Sequence, residues 1–83
     1  MGNTETKIIK IARRIAHKSI LVTSHSTIES MNFDSFDCVN FIVAIEDKFN
    51  IRIDVSESMD FGTISCMAKM VDNKVQKKVK LAA

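Results

Sequence analysis

The chain has 83 residues, of which 46% are hydrophobic, enough for one small domain with a compact core. It contains no Pro, two Gly and two widely separated Cys, which argues against a turn-rich β fold, a disulfide framework and a zinc site. The net charge of +2 hides an acidic middle, because residues 34–61 hold seven acidic and two basic residues while the flanking segments are basic.

The first predicted element is a helix from about Thr4 to Lys18, with Thr4 as its N-cap. Its apolar residues recur at helical spacing and form one stripe: Ile8, Ile11, Ala12 and Ile15. Ser19 to Asp34 lack this periodicity and are rich in Ser, Thr, His and Asn, so we expect a long loop.

The second predicted helix runs from about Ser35 to Phe49 and carries two apolar stripes. One stripe is expected in the core: Cys38, Phe41, Ile42, Ile45 and Phe49. The other lies on a different face: Phe36, Val39 and Val43. Because a domain this small has little room for a fully buried helix, we expect the second stripe to face a partner. Plain core packing is the alternative for these three side chains.

Residues 50–56 are expected to form a loop, and residues 57–61 one helical turn. Thr63 then caps a last helix whose inward stripe is Ile64, Met67, Ala68, Val71 and Val75. A basic tail at about 76–83 is expected to fray, and both Cys38 and Cys66 are expected to be buried. The sequence therefore predicts an all-α fold, a single domain over 1–83 in which three main helices and one short helix form a four-helix bundle.

The chemistry-bearing segment is Asp34-Ser35-Phe36-Asp37 at the start of the second helix. Free backbone N–H groups and the positive end of the helix dipole favour an anion there, such as a phosphodiester on Ser35. The flanking aspartates would oppose that anion, so we interpret them as contacts for a basic partner. The simpler interpretation is that Asp34 or Ser35 is an N-cap and nothing more.

The stretch DSFDCVNFIVAIEDKF, from Asp34 to Phe49, resembles acyl carrier proteins. In that family an Asp-Ser-Leu motif opens the second helix, and an apolar run leads to an acidic pair, here Glu46-Asp47, and a closing Phe, here Phe49. The resemblance continues through Ile51-Arg52-Ile53-Asp54 and the Phe61 to Val71 region. Phe36 replaces the usual Leu, the Gly often found before the Asp is absent, and the chain is mildly basic, all of which favour a dedicated carrier in a specialised pathway.

The resemblance implies that a separate phosphopantetheinyl transferase attaches 4′-phosphopantetheine from coenzyme A to Ser35. The carrier catalyses nothing, binds no metal and delivers acyl thioesters to acyl-loading, acyl-transfer or synthase enzymes of fatty-acid, polyketide or related biosynthesis. The implied partner-binding residues surround Ser35 and extend along its helix: Asp34, Phe36, Asp37, Val39, Val43, Glu46 and Asp47. We expect a cytoplasmic monomer without stable membrane association, since no apolar run approaches the length of a membrane span.

Two alternatives remain open from the sequence. A peptidyl or aminoacyl carrier shares the expected fold, although such carriers usually show a Gly-rich stretch and a His or Asp before the Ser. A nucleic-acid-binding helical domain is suggested by the basic ends, but the best candidate recognition helix, residues 35–49, is acidic. We therefore expect no nucleic-acid partner.

Overall fold

The computed structural model describes residues 3–54 and 62–82, and this part of the chain contains three α-helices. They are α1 (Asn3–Ile15), α2 (Ser35–Phe49) and α3 (Ile64–Ala82). α1 packs against both α2 and α3. Within the described residues β structure is limited to an isolated antiparallel bridge between Thr27 and Thr63. The prediction of an all-α fold is confirmed, whereas the short helix predicted at 57–61 lies outside the described residues.

The core is formed by apolar residues of all three helices and of the segments between them. Its buried members are Ile8, Ala12, Val22, Met31, Phe41, Ile45, Ile53, Ile64, Met67, Ala68 and Val71. The stripes predicted for the three helices supply most of this set, because residues three and four apart share one helix face. Val22, Met31 and Ile53 come from the non-helical segments and fix those segments to the bundle.

The first helix differs from the prediction at both ends. It begins at Asn3, so Thr4 is a residue of its first turn rather than its N-cap. The Thr4 hydroxyl instead donates a hydrogen bond to the Asp72 carboxylate, which links α1 to α3. The helix ends at Ile15, the last residue of the apolar stripe, and not at Lys18.

Residues 16–34 connect α1 to α2 through turns and bends. Thr27 and Ser30 close one of these turns, since the Thr27 N–H donates to Ser30 Oγ at 2.7 Å and the Ser30 N–H donates to Thr27 Oγ1 at 3.0 Å. Asn32 ends the turn with φ 57°, a left-handed conformation that Asn tolerates better than most residues. These bonds give the chain a defined path into α2.

The start of α3 is docked on the same connection. The N–H groups of Ile64 and Ser65 have no partner inside the helix, and they donate to the carbonyl oxygens of Ser26 and Ser24, both at 2.9 Å. Thr63 Oγ1 accepts from the Cys66 N–H at 3.2 Å, which confirms the predicted cap. The connection and α3 therefore satisfy each other's backbone groups.

α3 extends to Ala82, and Gln, Lys, Leu and Ala in its last turns are good helix formers. Fraying of the basic tail at about 76–83 stays a prediction. The structure corrects one further expectation about α3. Cys66 is exposed, not buried, because it lies on the face of α3 opposite Val71.

Candidate functional site at the start of the second helix

Ser35 is the first residue of α2, and it is exposed to solvent. Asp34 precedes it as the N-cap in an extended conformation, with φ −83° and ψ −178°. This sharp change from extended to helical backbone places the Ser35 side chain at the outer rim of the helix end. The sequence left open whether Asp34 or Ser35 caps α2, and the structure assigns the cap to Asp34.

The two aspartates beside Ser35 form a capping box. Asp34 Oδ1 accepts a hydrogen bond from the Asp37 N–H at 2.8 Å, and Asp37 Oδ2 accepts one from the Asp34 N–H at 3.3 Å. Each carboxylate thereby satisfies a backbone donor at the helix start that lacks an intrahelical partner. Sequence reasoning assigned both side chains to partner binding and missed this reciprocal structural role, although the Asp-x-x-Asp spacing resembles a capping box.

The N–H groups of Ser35 and Phe36 belong to the first turn of α2 and have no carbonyl four residues earlier in the helix. The aligned peptide dipoles add a partial positive charge at this end. A singly charged group attached to the Ser35 oxygen would therefore lie next to free donors and the positive helix end, while the Asp34 and Asp37 carboxylates oppose its charge. The local geometry suits an exposed hydroxyl that carries a phosphodiester.

Phe33 fixes the approach of the chain to this site. Its ring packs edge-to-face on Phe41, with the ring centroids 5.4 Å apart and an interplanar angle of 74°. Phe41 is completely buried in the middle of α2, so this contact anchors the residue before Asp34 to the core. Such edge-to-face pairs contribute about 0.5–1.5 kcal/mol beyond burial.

The second apolar stripe of α2 is exposed. Phe36, Val39 and Val43 show 71%, 59% and 53% of their surface to solvent, and they are called here the outer strip of α2. Core packing therefore does not account for these side chains. Asp47 is also exposed, one turn beyond Val43 on the same side of the helix.

Glu46 differs from its neighbour Asp47, because it is half-buried and bonded within the fold. Its Oε2 accepts a hydrogen bond from the Ile53 N–H at 2.8 Å. Its carbonyl oxygen accepts from the N–H of Asn50, the left-handed C-cap of α2, and from that of Ile51. Glu46 thus holds the segment after α2 against the helix, a role that sequence reasoning missed.

The groups near Ser35 include one thiol but show no catalytic arrangement in the described residues. Burial raises the pKa of the Cys38 thiol, and the Asp34 and Asp37 carboxylates raise it further. His17 and His25 are exposed, and His17 bonds to Ser19. Among the described residues no cluster of His, Cys, Asp or Glu could hold a metal ion.

A groove of about 590 Å³ lies at the other end of α2, lined by Glu46, Asp47, Asn50, Ile51, Arg52, Lys74 and Lys77. The 15 residues of α2 extend about 22 Å, so this groove is remote from Ser35. In the part of the chain that is described, no helix is long and apolar enough to cross a membrane.

The chain is similar in sequence to a known family model and to several named proteins. Residues 6–71 match a family model described as a phosphopantetheine attachment site. The acyl carrier protein of Buchnera aphidicola (Schizaphis graminum) is 30% identical over 79 residues, which cover 93% of this chain and all of that protein. Chloroplastic acyl carrier protein 4 of Arabidopsis thaliana is 35% identical over 57 residues, 69% of this chain, and the match spans 42% of that relative.

Chloroplastic acyl carrier protein 1 of Spinacia oleracea is 29% identical over 59 residues, 71% of this chain and 43% of the relative. The family-model match covers the whole of α2 and the start of α3, the elements that build the site described above. The chain belongs to the acyl carrier protein family, whose members hold a covalently attached phosphopantetheine group.

Proposed function

We propose that this protein is an acyl carrier whose 4′-phosphopantetheine arm is attached to Ser35. The observation that carries the proposal is the position of the Ser35 hydroxyl, exposed at the first residue of α2. The capping box turns both neighbouring carboxylates toward backbone N–H groups. Ser35 is therefore accessible to a large donor while the helix start around it stays ordered.

The attachment is a phosphoryl transfer carried out by a separate transferase. The Ser35 oxygen forms a bond to the phosphorus nearest the pantetheine of coenzyme A, the pyrophosphate linkage breaks, and 3′,5′-adenosine bisphosphate leaves. The hydroxyl proton passes to a base of the transferase. The chain supplies an accessible hydroxyl at a helix start whose first N–H groups are free to bind an anion.

The attached arm supplies a terminal thiol on which an acyl group is carried as a thioester. The chain itself performs no bond chemistry in this function. Its residues present the arm at the end of a rigid helix and direct partner enzymes to that end. The named relatives are acyl carriers, which favours an acyl over a peptidyl cargo.

The partner surface of the proposal is the outer strip of α2 together with the acidic groups at its ends. Phe36, Val39 and Val43 offer exposed apolar area for contact, and Asp47 adds an exposed charge. Asp34 and Asp37 lie at the base of the arm and remain at least partly accessible. Such charges guide the approach of a basic partner more than they add affinity.

The rest of the proposal concerns the extent of the domain, its oligomeric state and location, and its partner enzymes. Residues 1–83 act as one four-helix carrier domain, with a short helix within 57–61, and the protein works as a cytoplasmic monomer. The partners are a phosphopantetheinyl transferase and acyl-loading, acyl-transfer or synthase enzymes of fatty-acid, polyketide or related specialised biosynthesis. The support is the similarity to the Buchnera carrier along that protein's full length.

The proposal is tested by intact mass spectrometry after incubation with coenzyme A and a broad-specificity transferase. The wild-type chain should gain the mass of one phosphopantetheine group, and Ser35→Ala should gain none. Ser65→Ala is the matched control, since Ser65 also lies in the first turn of a helix, and it should be modified like the wild type. Modification of Ser35→Ala would contradict the proposal.

A further inference from the structure

The outward face of α1 carries a single sign of charge. Among residues 4–15, the exposed side chains are Thr6, Lys7, Lys10, Arg13 and Arg14. At 100° per residue the four cations occupy an arc of about 120° on the side opposite Ile8 and Ala12. The acidic residue of this helix, Glu5, is half-buried and lies outside that arc. We call these four side chains the cationic face of α1.

The like charges on this face repel one another, and of the four only Arg13 and Arg14, in the last turn, gain from the helix dipole. Lys10 and Arg14 are four residues apart, and Lys10 is three residues from both Lys7 and Arg13, so like charges are neighbours. Lys7 lies 5.9 Å above the Phe49 ring and an Arg13 nitrogen lies 3.4 Å from the Val22 carbonyl oxygen. Within the described residues, none of these contacts is with a carboxylate. The repulsion along α1 is therefore not offset by ion pairs in the described part of the fold.

The other two helices do not share this property. The exposed residues of α3 up to residue 77 are mixed: Cys66, Lys69, Asp72, Asn73, Gln76 and Lys77. The exposed residues of α2 are the apolar outer strip, the polar residues Ser35 and Asn40, and two opposite charges, Asp47 and Lys48. A general need for solubility would be met by interspersed charges, as on α3. The single-signed surface is specific to α1.

We propose that the cationic face of α1 is a second docking surface, which binds a compact acidic patch on another protein. The occupant is inferred to be acidic because the cationic face of α1 carries only positive charge. A membrane surface fits less well, because α1 exposes no apolar side chain for insertion between lipids and the segment that follows it, residues 16–34, exposes a single large one, Leu21. A nucleic acid also fits less well, because its extended negative field would repel the acidic segment 34–61 of the same small domain.

The position of this face allows two proteins to be bound at once. The buried side of α1 packs on α2 and α3, so Lys10, Arg13 and Arg14 point away from both helices, whereas Lys7 lies over the Phe49 ring at the last residue of α2. A partner held there leaves Ser35 and the outer strip of α2 uncovered. The carrier can thus be retained beside one protein while other enzymes act on its arm, and binding at α1 does not require that Ser35 be modified.

The test is an NMR titration of the unmodified full chain with a helical peptide whose glutamates lie on one face. Amide shifts should be confined to Lys7, Lys10, Arg13, Arg14 and their neighbours. Lys10→Glu/Arg14→Glu should weaken binding at least about tenfold, since it reverses the centre of the face. Lys69→Glu/Lys77→Glu causes the same change in net charge on α3 and should weaken binding less than about threefold.

Three outcomes would overturn the proposal. Equal weakening by the two double variants would show that only net charge matters. Equal affinity for a peptide of the same composition with its glutamates spread around the helix would show that no local patch is recognised. Tighter binding to phosphatidylglycerol vesicles or to a DNA duplex, at equal concentration of negative charge, would assign the face to a lipid surface or a nucleic acid instead.

Discussion

Asp34 and Asp37 exchange hydrogen bonds between side chain and backbone on either side of Ser35. Asp34 Oδ1 lies 2.8 Å from the Asp37 backbone nitrogen, and Asp37 Oδ2 lies 3.3 Å from the Asp34 backbone nitrogen. The residue that we propose to carry the arm is thereby enclosed in a capping box. The same carboxylates that give this end its negative charge also define where α2 begins.

Removal of the N-cap should destabilise the domain. We expect Asp34→Ala to lower the free energy of unfolding by about 1 kcal/mol, because the Asp37 N–H loses its acceptor. Urea denaturation followed by circular dichroism measures this change. Asp34→Asn, which keeps an acceptor oxygen, should lose only a few tenths of a kcal/mol. Equal losses in the two variants would show that the capping bond does not stabilise α2.

The same pair of variants separates capping from partner contact. Asp34→Asn removes the charge and keeps an acceptor for the cap, so any slowing of Ser35 modification by the transferase reports the lost charge. We expect slower transfer at low salt and a smaller difference at high salt, as for a charge that guides association. An unchanged rate at low salt would restrict Asp34 to its structural role.

Glu46 should matter for stability more than its neighbour Asp47. Glu46→Ala leaves the N–H of the buried residue Ile53 without its acceptor and should lower the free energy of unfolding by about 1–3 kcal/mol. Asp47→Ala removes an exposed carboxylate and should change it by less than about 0.5 kcal/mol. Similar values for the two variants, measured by urea denaturation, would contradict the structural role of Glu46.

The outer strip should be dispensable for folding and required for partners. Phe36→Ser removes a side chain that is 71% exposed, so the free energy of unfolding should change by less than about 0.5 kcal/mol. Partner enzymes should nevertheless process the variant with a raised KM. Phe41→Ala is the buried counterpart and should cost about 3–5 kcal/mol, enough to unfold many small domains. A Phe36→Ser variant that unfolds would place that side chain in the core.

The two thiols should differ in reactivity. Burial and the Asp34 and Asp37 carboxylates raise the pKa of Cys38, whereas hydrogen bonds to the Thr63 side chain and backbone lower the pKa of Cys66. A lower pKa gives more thiolate at a given pH, so iodoacetamide should alkylate Cys66 first. Mass spectrometry of peptides over a pH series should show the rise in rate at lower pH for Cys66. Faster alkylation of Cys38 would contradict this order.

The sequence predicted the elements that depend on local pattern. The stripe containing Ile8 and Ala12 is buried, and Thr63 caps α3, because helical spacing and a capping hydroxyl act within a few residues. The Glu46 to Ile53 bond was not predicted, since it depends on how the chain returns after the Asn50 turn. Helical spacing already places Cys66 opposite the inward stripe of α3, and the expectation that it is buried was wrong because it rested on residue type alone.

In the candidate site, too, the position of a residue at a helix start was predicted, whereas the contacts between side chains and backbone were not. The position of Ser35 at the start of α2 was predicted, because an Asp-Ser motif before an apolar run marks a helix start. The sequence did not indicate that Asp34 and Asp37 would bond to each other's backbone rather than extend fully into solvent. That choice depends on the extended conformation of Asp34, which the turn through Asn32 and the packing of Phe33 on Phe41 help to set.

The most direct measurement is the site of attachment in the modified protein. Trypsin releases Ser19–Lys48 as one peptide, since it contains no Lys or Arg before its end, and this peptide holds Ser35 together with Ser19, Ser24, Ser26 and Ser30. Fragmentation of this peptide from holo protein should place the phosphopantetheine group on Ser35. Attachment at another serine of the peptide, or on a peptide from elsewhere in the chain, would contradict the account.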